Sequence, residues 1–253
     1  MLTAYLKRGV KAGVVAGVVF GLFVALIANP LVGFTDELGH GNDHTSHDHA
    51  TGDHPDSAVS TAITNGASVV AGVLWGILLG GVVFGVVYYF LEPAIPGTES
   101  TKSYLLAVAG FVTVSGAPWL VLPPQLPGVD EALPTETRLL LYGGMMIVGG
   151  LVSAVAGVVY GRLRETHTRA TAAVVAVLPF SVLTIPAVLS PAPPVEGTLP
   201  PELATGLTGM VVFGQALLWL LLAGTHAQLH RRSVDTEASE IAAARTDGRL
   251  TAD

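Results

Sequence analysis

Five of the chain's eight histidines fall in one short stretch, at His40, His44, His47, His49 and His54, with Asp43, Asp48 and Asp53 interleaved among them. Neutral imidazole is a borderline ligand that suits divalent zinc, cobalt, nickel and copper. A neighbouring carboxylate can orient the ring through its second nitrogen and raises the local cation concentration. The surrounding glycines and small polar residues let the segment wrap an ion, at some cost in chain entropy. These eight side chains therefore predict a binding site for a late first-row divalent cation. The plain alternative is a solvated polar loop, and such a loop is compatible with ligation. The spacing is not that of a structural zinc finger, and the chain has no cysteine. With an ordinary histidine pKa of about 6.5, capture at neutral pH and release in mild acid are expected.

Composition dictates what must position this loop. Of 253 residues, 51% are hydrophobic and 12% charged, against about 25% charged in an average soluble domain. This balance excludes an ordinary soluble enzyme, a disordered chain and a disulfide scaffold. The net charge of −7 excludes a nucleic-acid partner, which needs a basic face to displace counterions. A bilayer core about 30 Å thick takes roughly 20 apolar residues per helix. Six stretches satisfy that, at about 10–31, 67–91, 103–122, 139–160, 170–189 and 204–226. Lipid offers no partner to an unpaired backbone group, so they are predicted to be helices. Pro118, Pro179 and Pro186 force local kinks or breaks in the third and fifth. The expected architecture is an all-α, polytopic integral membrane bundle of six helices. One transmembrane domain covers 1–230, an extracellular histidine-rich loop 36–60, and a cytoplasmic tail 231–253.

Basic residues set the direction of threading. Lys7, Arg8, Lys11, Lys102, Arg162, Arg164, Arg169, Arg231, Arg232, Arg245 and Arg249 fall on one side of a six-span layout, and Arg138 alone falls on the other. Both termini are therefore expected in the cytoplasm of a multi-pass plasma-membrane protein, with the histidine loop outside. The first span has a basic start, as a signal peptide does. It runs about 20 residues and ends at Asn29-Pro30 without a clear small-x-small cleavage site, which favours a retained span.

Glycines at four-residue spacing, Gly9, Gly13, Gly17 and Gly21 in the first span and Gly72, Gly76 and Gly80 in the second, put smooth faces on those helices. Gly157 and Gly161 continue a similar face in the fourth. Such faces let another helix backbone approach closely, whether within the chain, from a partner subunit or in a homo-oligomer. Polar groups inside the spans are few. Thr113, Ser115, Ser153, Ser181, Thr184 and Thr208 can bond their own helix backbone. Gln215 is the costliest to leave unpaired and could face a pathway or partner. His226 and His230 lie at the inner end of the last span, at headgroup level or as an exit site. No phosphate-binding loop, His-Glu-x-x-His helix or nucleophile elbow occurs, so no enzyme activity is predicted.

Proline punctuates the ends of spans three and five, removing backbone donors and disfavouring helix just before it. One apolar span, an outer loop, a span ending in Leu91-Glu92-Pro93, and another running into Pro123-Pro124-Gln125-Leu126-Pro127-Gly128 together resemble the CbtA family of cobalt transporter subunits. The resemblance covers about residues 5–228. It implies cobalt uptake in support of cobalamin synthesis, with nickel and zinc as compatible alternatives from the ligand chemistry. It also implies a small one-span companion, CbtB, with a histidine-rich tail. Residues 1–56 look like that companion's arrangement, so this chain is expected to carry the capture function itself. The alternative is a non-transporting accessory or scaffold subunit of a metal-uptake complex.

Overall fold

The computed structural model describes residues 2–40, 56–124, 133–189 and 200–250. The described residues are helical, with no strand among them. We number the helices α1 (2–40), α2 (56–91), α3 (99–119), α4 (135–163), α5 (169–189) and α6 (201–250). Five segments are long and apolar enough to cross a membrane: Leu2–Phe34, Ala62–Leu91, Thr135–Leu163, Arg169–Leu189 and Glu202–Thr236. The third expected span corresponds to α3, which is not among them. Its first turn carries Glu99 and Lys102, and its helix stops at Trp119 just after Pro118. The charged start and the proline-limited end leave it a shorter apolar run. Many large apolar side chains point outward, among them Leu139, Leu140, Ile147, Val174 and Val188. Such a surface suits lipid and not water.

Three helices contain π turns, at Val24–Ala28, Gly80–Val87 and Val112–Gly116. Each ends with an amide bonded five residues back, as Tyr88 does to the Val83 carbonyl. A π turn shifts the carbonyl ladder by one residue. In α3 the Val114 carbonyl accepts a hydrogen bond of 2.5 Å from the Tyr142 hydroxyl. Pro179 acts as expected, since Leu178–Leu183 tightens into a 3-10 turn around it, whereas Pro186 lies in the α-helical turn Thr184–Leu189 that follows. The Ser181, Thr184 and Thr208 hydroxyls bond backbone carbonyls of their own helices.

The glycine faces of α1 and α2 pack backbone to backbone in antiparallel register. An added Cβ on Gly13 would lie 2.7 Å from the Gly76 carbonyl carbon. One on Gly17 would lie 2.8 Å from the Val73 Cα, and one on Gly21 2.7 Å from the Val69 Cα. Gly9 meets the Gly80 carbonyl in the same way. Gly157 and Gly161 differ, because a Cβ there would meet nothing within 4 Å. Their face of α4 is not packed against another described part of the chain.

Helix α6 runs antiparallel to both α1 and α3. Gly214 lies against Phe20 and Phe23 while Arg8 meets Ser233, and Gly110 lies against Trp219 while Ser103 meets His226. One core joins Ala16, Leu79, Phe84, Tyr88, Leu106, Leu218, Trp219 and Leu222. A second joins Ala117, Val121, Met145, Val152 and Leu183, so α3 belongs to both. The start of α1, the end of α2, the start of α3 and residues 226–236 of α6 thus share one end of the bundle. Helix α1 continues through His40 and α2 starts at Asp56, and residues 41–55 of the expected 36–60 loop lie outside the described residues. Helix α6 runs unbroken to Leu250.

Candidate functional site

The end of the bundle that contains Arg8 gathers a cluster of charged and aromatic polar side chains from four helices. Leu91-Glu92-Pro93 stops α2, since proline cannot continue the amide ladder. Gly97 turns the chain with φ at 115°, a conformation that side chains with a Cβ rarely adopt. Thr98 then caps α3, its hydroxyl accepting from the Thr101 amide at 3.4 Å. Glu99 follows in the first turn, where the helix dipole favours a negative charge. This short connection holds Glu92 and Glu99 side by side.

The contacts around them form one network. The Tyr5 hydroxyl donates to Glu92 Oε2 at 2.5 Å. Lys102 Nζ lies 3.0 Å from Glu99 Oε1 and 3.8 Å from Glu92 Oε1. His230 Nε2 lies 3.1 Å from Glu99 Oε2. The Tyr88 hydroxyl reaches Glu99 Oε2 at 3.3 Å. Arg8 pairs through Nη1 with His230 Nδ1 and through Nη2 with Ser233 Oγ, the latter at 3.0 Å. The network thus holds two carboxylates, one ammonium and, beyond His230, one guanidinium, so formal charge balances. Burial opposes ionisation of Glu99, but the Lys102 hydrogen bond and charge outweigh it and hold its carboxyl below the ordinary value.

Deeper in the bundle, His226 is fully buried. Its Nδ1 pairs with Ser103 Oγ at 2.9 Å, and its Nε2 has no hydrogen-bond partner. The ring packs on Phe84 and Tyr88 and lies nearly parallel to His230, with centroids 6.4 Å apart. Glu92, Glu99 and His230 can each offer one ligand atom, and these atoms all lie within 4.8 Å of one another.

Of the residues singled out in the sequence, the fold brings His226 and His230 together here. Gln215 is half-buried in α6, about 16 Å along the helix from His226 at 1.5 Å per residue. His40 ends α1, about 48 Å along that helix from Arg8. His44, His47, His49, His54, Asp43, Asp48 and Asp53 lie outside the described residues. Sequence reasoning missed Glu92, Glu99, Tyr5 and Ser103 as site residues, and treated Arg8 and Lys102 only as markers of threading. One signal was present: Glu92 and Glu99 are two acidic residues seven apart in a short connection between apolar spans.

The family model for the probable cobalt transporter subunit (CbtA) matches residues 2–231. The chain belongs to that family. No curated protein and no solved structure matches it. The matched range takes in α1 to α5, α6 as far as Arg231, the histidine-rich segment and the polar network apart from Ser233. With five apolar helices and membership of CbtA, the chain is a multi-pass membrane protein of metal transport.

Proposed function

We propose that this CbtA chain moves a divalent transition-metal cation, cobalt foremost, inward across the plasma membrane. The observation that carries the reading is the family match over residues 2–231. The fold supports a six-span threading. Arg8 at the start of α1 pairs with His230 and Ser233 near the end of the apolar part of α6. Returning to the same end takes an even number of crossings, so α3 counts as one. Eleven of twelve basic residues on that side make it cytoplasmic. Cysteine-accessibility mapping tests this, and labelling of the histidine loop from the cytosol would reject it.

The histidine loop captures the ion outside, and His226 and His230, with Gln215 further up α6, belong to the exit route. The helical distance from His40 to Arg8 exceeds the roughly 30 Å core, so the two sites serve opposite faces. Equilibrium dialysis of a peptide spanning 38–56 tests the capture step. Equal cobalt binding by a peptide with all five histidines changed to alanine would reject it. No nucleotide-binding motif is present, so the drive is the membrane potential, an ion gradient or a partner such as a small CbtB-like subunit. The second reading is an accessory subunit without transport of its own, and the unpacked Gly157 and Gly161 face favours a helix partner. Uptake of radioactive cobalt by vesicles containing only this chain separates the two.

A further inference from the structure

We infer that Glu92, Glu99 and His230 form the site from which the cation is released, and that Arg8 and Lys102 are its displaceable counter-cations. The inference rests on the transport reading and deepens it. Glu92 and Glu99 flank the short connection between α2 and α3, and His230 comes from α6, so the docking of α6 beside that capped turn sets the spacing of the three. Carboxylate and imidazole together suit cobalt, nickel or zinc. The separation of 3.1 Å between Glu99 Oε2 and His230 Nε2 already matches the edge between two ligands each about 2.1 Å from a metal. The third ligand must close in from within 4.8 Å. That motion falls to Glu92 Oε1, which Lys102 holds at a loose 3.8 Å, while Oε2 keeps its bond from Tyr5.

The tautomer of His230 makes Arg8 and metal mutually exclusive. A guanidinium only donates hydrogen bonds, so pairing with Arg8 requires an unprotonated Nδ1. The neutral ring then carries its proton on Nε2, which points at Glu99 Oε2 and has no lone pair for a metal. Ligation through Nε2 needs the proton on Nδ1, and Arg8 must let go. Lys102 occupies the carboxylates in the same sense, bridging Glu99 and Glu92. A cation entering the site displaces both positive groups, and their return expels it. Ser233, already bonded to Arg8, keeps the guanidinium close by in the displaced state.

The test is cobalt binding by the purified full chain in detergent, followed by the visible cobalt absorption band. The background carries His40→Ala, His44→Ala, His47→Ala, His49→Ala and His54→Ala, so that loop binding does not contribute. On it, His230→Ala and Glu99→Gln should each weaken binding roughly tenfold or more, with loss of the nitrogen-ligand signature for His230→Ala. Arg8→Met and Lys102→Met should tighten binding by about fivefold, the size of a partly exposed ion pair. A purely structural network predicts the reverse, because removing either cation would only loosen the fold. Weaker or unchanged binding in both methionine variants overturns the inference, as does unaltered binding in His230→Ala. Thermal unfolding of each variant identifies any that fail to fold, and Lys102→Gln replaces a methionine variant that does. Vesicle uptake by the unsubstituted chain is read separately. Uptake without binding here rejects only the release site, and binding here without uptake rejects only the transport reading.

Discussion

Replacing Gly13 with alanine should separate the two helices on which the polar network hangs. The added methyl would lie 2.7 Å from the Gly76 carbonyl carbon and nearer still to its oxygen, where ordinary contact begins at 3.4 Å. The carbonyl carbon alone requires about 0.7 Å of opening at that level and the oxygen more, and a gap of about 0.5–1 Å already forfeits a quarter to a half of the dispersion energy of each facing pair. Overpacking costs typically 1–3 kcal/mol. The upper end applies, because the obstacle is backbone and not a movable side chain. Alanine returns about 1 kcal/mol of helix propensity relative to glycine, which leaves a net loss of about 2 kcal/mol. Gly157→Ala is the internal control, since its methyl meets nothing within 4 Å. It should be neutral or stabilising by up to about 1 kcal/mol. Thermal unfolding of both purified variants in the same detergent measures the difference. If Gly13→Ala unfolds at or above the parent temperature, or Gly157→Ala falls as far, the close-packed seam is wrong. Opening the seam should also disturb the Tyr5–Glu92 bond of 2.5 Å, because α1 carries one partner and α2 the other.

Other residues give separate checks. Ser103→Ala leaves buried His226 without its Nδ1 partner and should cost about 1–3 kcal/mol, read as a lower unfolding temperature; an unchanged temperature argues against that bond. Glu99 titrates below its reference value of 4.5, so its contribution to stability is present above that value and is lost as pH falls through the lowered folded-state value. Unfolding temperatures of the parent and Glu99→Gln should therefore converge in acid and differ at neutral pH. The side chain is 38% exposed, so the neutral-pH difference should be modest and shrink in high salt. A difference that grows on acidification would reverse the assigned sign.

Hydropathy made most of the fold legible, because lipid imposes both length and helicity on every crossing. Five of the six stretches read from the sequence correspond to helices long and apolar enough to cross. The α3 stretch is harder to read because Glu99, Lys102 and Pro118 bound it closely. The four-residue glycine spacing shows where a helix can be approached, but not by what. Gly13 finds α2, whereas Gly157 meets no described part of the chain. The π turns carry no pattern that periodicity detects, since a one-residue shift in the amide ladder leaves the apolar stripe almost unchanged. The network at Arg8 was the least legible feature. Arg8 and His230 are 222 residues apart, and Ser103 and His226 are 123 apart. Their meeting depends on the antiparallel docking of α6 against α1 and α3, which no local motif encodes.

The measurement that bears most directly on transport is radioactive cobalt uptake by sealed vesicles containing only this chain, under an imposed inside-negative potential. At 100 mV the field contributes about 2.3 kcal/mol per charge, and so roughly 4.6 kcal/mol for a divalent ion. That corresponds to an accumulation limit of roughly a thousandfold or more. Uptake should rise with the potential and stop when a potassium ionophore collapses it. Uptake no greater than in protein-free vesicles, at any potential, would contradict the transport reading and leave the chain an accessory subunit.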